Sequence, residues 1–421
     1  SCSNKEIQSV DRQNLFRLDI GRLENQIDLF ALDQSQAMIK THIAMRDGIF
    51  YISDSKGQKV SKFTSYGDLL SMIYNQETNP PPFTLKISSG SSEIVTRRAV
   101  PYPLIQNGSL AVDSRKHLYV EDRLPPDRRT YDAEKRVLFD STVLHFDSDG
   151  NFIEYLGQEG IGGTPFPYIT NLFTSINNEL AVVCRLPMGW NVYWFDSNST
   201  VLYVVLIRNE DLPIPKGETL YPSLDSISAA PDKRQLIIKI DYYKDSIDES
   251  TKTKSGIVFD RSMFWVMNVE DGSYLNSVEI PPFDQIQSNQ KDKVELVYSV
   301  LGVSRGNKVF LSIPDTNGYH LLVLDLESKD QKRGFIKVDP EMIIPTTRAE
   351  RAMYVDPTFC NMVMLPIGNI VNVTRPQKSF NIHFTPLTTS FLSLDMQHQL
   401  STSSSPLQGA FPLVNFLTAL V

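Results

Sequence analysis

Short apolar runs separated by turn-forming clusters dominate the chain. In one such stretch Ile49, Phe50, Tyr51 and Ile52 form a β-branched and aromatic run, and Asp54, Ser55 and Gly57 supply turn chemistry. Val60 and Phe63 belong to a second run, and Tyr66 with Gly67 closes a hairpin. Runs this short, punctuated in this way, predict strands. None extends into the longer 3.6-residue period of an amphipathic helix.

The same order returns down the chain. Leu118, Tyr119 and Val120 are answered, after an insertion, by Val143, Leu144 and Phe146 and the turn Asp147-Ser148-Asp149-Gly150. Later copies pair Leu180 to Val183 with Val192 to Phe195, Leu236 to Ile240 with Phe264 to Val269, and Val309 to Leu311 with Leu321 to Leu326. A last copy offers Met353, Tyr354 and Val355, then Met362, Val363 and Met364, without a clear outermost strand. Repeated units of about 40–50 residues with four strands each predict sheets packed radially around an axis. The expected fold is all-β, a six-bladed β-propeller, with seven blades as the runner-up. A stacked sandwich does not call for the same unit again and again. Leu15, Phe16, Leu18 and Ile20, then Ile27, Leu29 and Phe30, read as strands lacking an inner partner. An N-terminal strand lent to the last blade would close the ring and remove an open sheet edge.

Residues 48–70, with Asp54, Lys59, Phe63 and Gly67, resemble the blade pattern of NHL-repeat six-bladed propellers. Phe146-Asp147-Ser148-Asp149-Gly150-Asn151-Phe152 and Tyr155-Leu156-Gly157-Gln158-Glu159-Gly160 resemble it equally. The resemblance covers about residues 40–340 and fails after 366. It implies a propeller whose loops bind something. It also implies an alternative, because related six-bladed propellers include metal-dependent hydrolases and lyases with acidic, amide or His ligands in the central channel.

Composition narrows the choice. With 41 Lys+Arg against 49 Asp+Glu the net charge is −8, which argues against nucleic acid as a partner. Hydrophobic residues at 41% suffice for a core and exclude a disordered chain. Ser1 and Cys2 followed by polar residues look like the start of a mature bacterial lipoprotein. The expectation is lipidation of Cys2, residues 1–14 as a tether, and an exported protein held at a membrane, in the periplasm or at the cell surface. Residues 15–375 would be the propeller. Residues 376–421, rich in Ser and Thr and poor in charge, would be an irregular extension. Cys184 and Cys360 lie in apolar runs and read as buried thiols rather than a disulfide.

Candidate chemistry is sparse. His42, His117, His145, His320, His383 and His398 show no metal-ligand spacing and read as isolated residues. No Gly-x-Ser-x-Gly elbow occurs, and Gly157 to Gly163 lacks the Lys of a phosphate loop. No catalytic residue, cofactor or metal is expected. The insertions are richer. Residues 124–136 interrupt one unit with Arg128, Arg129 and Tyr131, just after Arg123, and Tyr242 with Tyr243 reads as the opening of another. Arg and Tyr are the residues favoured at interface hot spots. The resulting expectation is a non-enzymatic, membrane-tethered binding or scaffold module. It would take a protein, peptide or glycan through Arg123, Arg128, Arg129, Tyr131, Tyr242 and Tyr243.

Overall fold

The computed structural model describes residues 8–10, 13–16, 18–28, 41–87, 97–248, 250–283, 296–315, 317–337, 353–355, 362–364 and 418–420. Among them the only helical elements are two 3-10 turns, Pro126–Arg128 and Asn209–Asp211. The strands form six sheets of four or more strands and two small ribbons. The first sheet is the antiparallel series Thr41–Arg46, Ile49–Asp54, Lys59–Phe63 and Leu69–Tyr74, with Arg98–Pro101 and Lys86–Ile87 added outside in parallel. The second is Leu110–Val112, Leu118–Arg123, Ser141–Phe146 and Phe152–Gly157, extended by Gly160–Ile161. The third is Tyr168–Thr174, Leu180–Leu186, Gly189–Phe195 and Val201–Arg208. The fourth is Tyr221–Ala229, Gln235–Ile247, Lys254–Asn268 and Tyr274–Ile280.

The fifth sheet, Ser299–Ser304, Lys308–Asp315, Gly318–Asp325 and Gln331–Lys337, carries Gln8–Ser9 in parallel on its outside. The sixth runs Met353–Val355, Met362–Met364, Thr418–Leu420 and Gln13–Asn14. First strands of consecutive sheets are neighbours, and Met353–Val355 also neighbours Thr41–Arg46, so the series returns to its start. The fold is an all-β propeller.

Alternation along each strand explains the packing. Leu110 and Val112 join a core shared with the first sheet's Ala44, Tyr51, Val60 and Ile73. Ala111 between them faces the other way, into a core with Leu172, Val182 and Phe195 of the third sheet. Similar cores lie between the third and fourth sheets and between the fourth and fifth. Each of these middle sheets is buried on both faces, which is why the runs are so densely apolar.

The ends of the chain depart from expectation. The strand that joins the last sheet is Gln13–Asn14, not the apolar run after it, and Gln8–Ser9 serves the fifth sheet as well. Leu15, Phe16 and Leu18 are instead core residues. Phe16 packs edge-on against Phe50 at 5.3 Å and lies tilted against Phe63 at 5.5 Å. Gly67, at φ +83°, lets Phe16 in, since a Cβ there would lie 2.5 Å from that of Phe16. Asp19–Ile20 and Gln26–Ile27 form a small parallel ribbon. Within the stretch expected to be irregular, Thr418–Leu420 is the third strand of the sixth sheet. Cys184 is a fully buried thiol. Cys2, Cys360 and residues 376–417 lie outside the described residues.

Candidate functional site

In an up-and-down sheet the connections alternate between its two ends. Those joining the first to the second strand and the third to the fourth leave one end, and those joining the second to the third leave the other. The first set is tight and local. Asp147 Oδ1 accepts the N–H groups of Asp149 and Asn151 at 2.9 and 2.8 Å, with Gly150 at φ +86° completing the turn. Asp196 holds Asn198 and Thr200 in the same way, and Asp325 holds Glu327 and Ser328.

These turns also lock neighbouring sheets together. Ser114 donates to Asn178 Oδ1. Ile176 N–H donates to Pro231 O, Gly306 N–H donates to Asp232, and Lys233 pairs with Glu327. The densest clamp is Glu179, buried, which accepts Trp194 Nε1–H at 2.8 Å and pairs with Arg234 at 2.7 Å. Arg234 lies 5.7 Å over the Tyr203 ring and also reaches Glu270. A second network joins Ser199 of the third sheet, through Glu154, to His145 and on to His117. Glu154 accepts from His145 Nδ1–H, so His145 Nε2 accepts from His117 Nδ1 at 2.9 Å. Burial holds the His145 imidazole below the usual histidine range against the pull of Glu154. These two histidines are therefore partners and not isolated residues.

The opposite end carries the long connections. In the second sheet, residues 124–140 fold as the 3-10 turn Pro126–Arg128 and a ribbon of Thr130–Asp132 with Val137–Phe139. In the fourth, Gln235–Ile247 and Lys254–Asn268 continue past their neighbours as a two-stranded arm. One face of the arm carries Tyr243 against Phe259 at 5.9 Å, with exposed Ile257 beyond. Asp245 is bound by Lys254 at 2.6 Å and by the Tyr221 hydroxyl at 3.0 Å, which hold its carboxyl below the usual range.

The residues chosen from sequence divide sharply. Tyr131 is 61% exposed on the ribbon. Arg128 is exposed and lies 5.5 Å over the Tyr155 ring, a cation–π contact. Arg129 donates to Leu124 O at 2.7 Å, and Arg123 pairs with Asp140, so these two shape the base of the ribbon. Tyr243 is half-buried on the arm. Tyr242 is a correction. It opens no loop; it alternates inward from a continuous strand, fully buried. Its hydroxyl donates to Pro213 O at 2.6 Å and accepts from Trp265 Nε1 at 2.8 Å, and burial pushes it up to about 12.

Three buried polar groups escaped the sequence reading. Asp122, buried, accepts the N–H groups of Ile105 and Gln106, and burial raises its carboxyl to about 7. Lys239, also buried, pairs with Asp241 at 2.8 Å and Asp225 at 3.2 Å. Glu24 accepts the N–H groups of Phe83 and Thr84, so the chain's own N-terminal segment meets the loop just after Pro80, Pro81 and Pro82. Only the exposed partners of such pairs could have been guessed from sequence. Among the described residues no group of three His, Cys, Asp or Glu could hold a metal ion, and no helix is long and apolar enough to cross a membrane.

No family model and no curated protein matches the sequence. Solved structures similar in fold include the β-propeller domain of the Trilobed protease from Pyrococcus furiosus, at 11% identity and TM-score 0.32. That match covers 62% of this chain and 64% of that one, so the chain spans just under two thirds of its length. The Dos1 propeller matches at 10% identity and TM-score 0.34, over 85% of this chain and 69% of its own. A calcium-binding protein, regucalcin, from Agrobacterium tumefaciens matches at 10% identity and TM-score 0.35, over 83% and 86%.

Proposed function

We propose that the protein is a binding module that takes a protein, peptide or glycan on the end of the ring bearing the ribbon and the arm. The observation that carries this reading is positional. Both long connections join the second and third strands of their sheets, so both leave the same end, while the connections at the other end are spent on locking sheets together. Tyr131, Arg128 and Ile257 stand exposed there. Rigid sheets presenting variable loops are the usual arrangement for recognition. A variant carrying Tyr131→Ala, Arg128→Ala and Ile257→Ser should lose the ligand that the unaltered protein captures from envelope extract. Lys233→Ala, at the turn end, should keep it. Equal capture by the triple variant contradicts the proposal.

We further infer a ring of six NHL-type blades, supported by six sheets whose first strands follow one another in a closed order. A seventh sheet in an experimental structure would contradict this count. The proposal extends to a lipid on Cys2 that holds the module at a membrane. Intact mass of the membrane-fraction protein tests it, with Cys2→Ser expected to remove the added mass and release the protein.

A further inference from the structure

Turns of one design join the third and fourth strands of the first three sheets. In each, the carbonyl of Thr64, Asp147 or Asp196 accepts the N–H three residues on. The residue making that bond is left-handed in every case: Gly67 at φ +83°, Gly150 at +86° and Ser199 at +65°. Glycine takes this backbone freely, whereas serine, with a Cβ, takes it under strain. The third sheet keeps the strained residue, and the Ser199 hydroxyl donates to Glu154 of the second sheet. Strain held in place by a specific contact points to a role for that contact.

The oxygen that Ser199 uses is shared. Glu154 Oε1 also accepts Nδ1–H of buried His145 at 3.0 Å, and His145 Nε2 lies 2.9 Å from Nδ1 of half-buried His117. The Tyr119 ring stacks on His145 at 4.4 Å, and Arg115, paired with Asp113, reaches the Tyr119 hydroxyl. The third sheet brings Ser199 and the Ser197 carbonyl, to which Arg115 donates, while Asp196 holds N–H groups of its own turn.

We propose that this chain of side chains is an acid-operated clasp between the second and third sheets. A proton taken up at His117 Nε2 sends the Nδ1 proton across to His145 Nε2. His117 is left neutral, His145 becomes an imidazolium, and no other bond is made or broken. The charge-assisted bond of the imidazolium then claims the Oε1 electrons that the Ser199 hydroxyl uses. The anchor of the turn weakens, and Ser199 relaxes. Burial disfavours the charged His145, so the native state resists this proton. The stability contributed by the neutral imidazole is therefore full above the ordinary value of about 6.5 and falls as pH drops below it.

Hydrogen exchange of the full chain, corrected for the intrinsic effect of pH, tests the clasp at about pH 7.5 and about pH 5.5, either side of the histidine range. Protection of residues 196–200 should fall several-fold in acid, and that of 64–68, the matching turn of the first sheet, should not. His145→Gln should abolish the difference. Imidazole nitrogen NMR of the unaltered protein depends on no variant: His117 should carry its proton on Nδ1 at the higher pH and on Nε2 at the lower. Equal protection of 196–200 at both pH values overturns the proposal. So does a pH response that survives in His145→Gln, or a proton on His117 Nε2 alone at the higher pH.

Discussion

The two ends of the ring are built on different principles. At the turn end, short connections are held by Asp side chains and reach across to the next sheet, as with Glu179, Trp194 and Arg234. At the loop end, the ribbon and the arm project, and their polar groups are satisfied mostly within themselves, as with Lys254 and Asp245. On the proposed reading, the difference separates the end that holds the sheets together from the end that would meet a ligand. Breaking a clamp leaves a buried donor or charge without its partner, whereas trimming a loop removes side chains that already face water.

Four changes test that contrast, in falling order of effect on stability. Tyr242→Ala should cost about 4 kcal/mol, the scale of a buried aromatic truncated to alanine, although the residue belongs to the strand from which the arm grows. Urea denaturation would read it, and a small effect would place Tyr242 outside the core after all. Glu179→Ala should cost about 2 kcal/mol by stranding the Trp194 N–H, read in the same way.

Asp122 gives a subtler effect. Its carboxyl is raised to about 7 by burial, against the lowering influence of the Gln106 and Ile105 N–H groups. Between the ordinary Asp range near 4 and about 7, the native state therefore holds a proton that the unfolded chain has released. This contribution is full below that window, declines as pH rises through it, and is gone above it. Asp122→Asn should flatten the fall in melting temperature between those limits, and a slope equal to that of the unaltered protein would refute the assignment. Smallest of all, Tyr131→Ala should change stability by less than about 0.5 kcal/mol while weakening ligand capture.

How much of this was readable in the chain follows from the range of the interactions. The Asp147 turn and the alternating runs are local, set by side chains bonding to backbone a few residues away, so they stood out. The closing strands did not, because Gln13–Asn14 and Thr418–Leu420 are too short to show a period. Tyr242 reads as a loop residue because Tyr-Tyr-Lys-Asp looks polar enough for one, whereas the strand runs on to Ile247. The His117–His145 contact spans 28 residues of sequence and depends on the pairing of two strands, which no spacing rule reveals. The exposed part of the candidate site, Tyr131 and Arg128, was legible as an insertion rich in hot-spot residues. Arg123, expected on the same surface, pairs with Asp140 at the base of the ribbon, a partner 17 residues away that no local pattern reveals.

The most direct test compares the two ends in one experiment. A photo-cross-linking residue is placed at position 131 or 257 on the loop end, and at 148 or 197 on the turn end, in otherwise unaltered protein. The account predicts that 131 and 257 trap the same ligand and that 148 and 197 trap none. Trapping from the turn end alone, or equally from both, would contradict the division of labour between them.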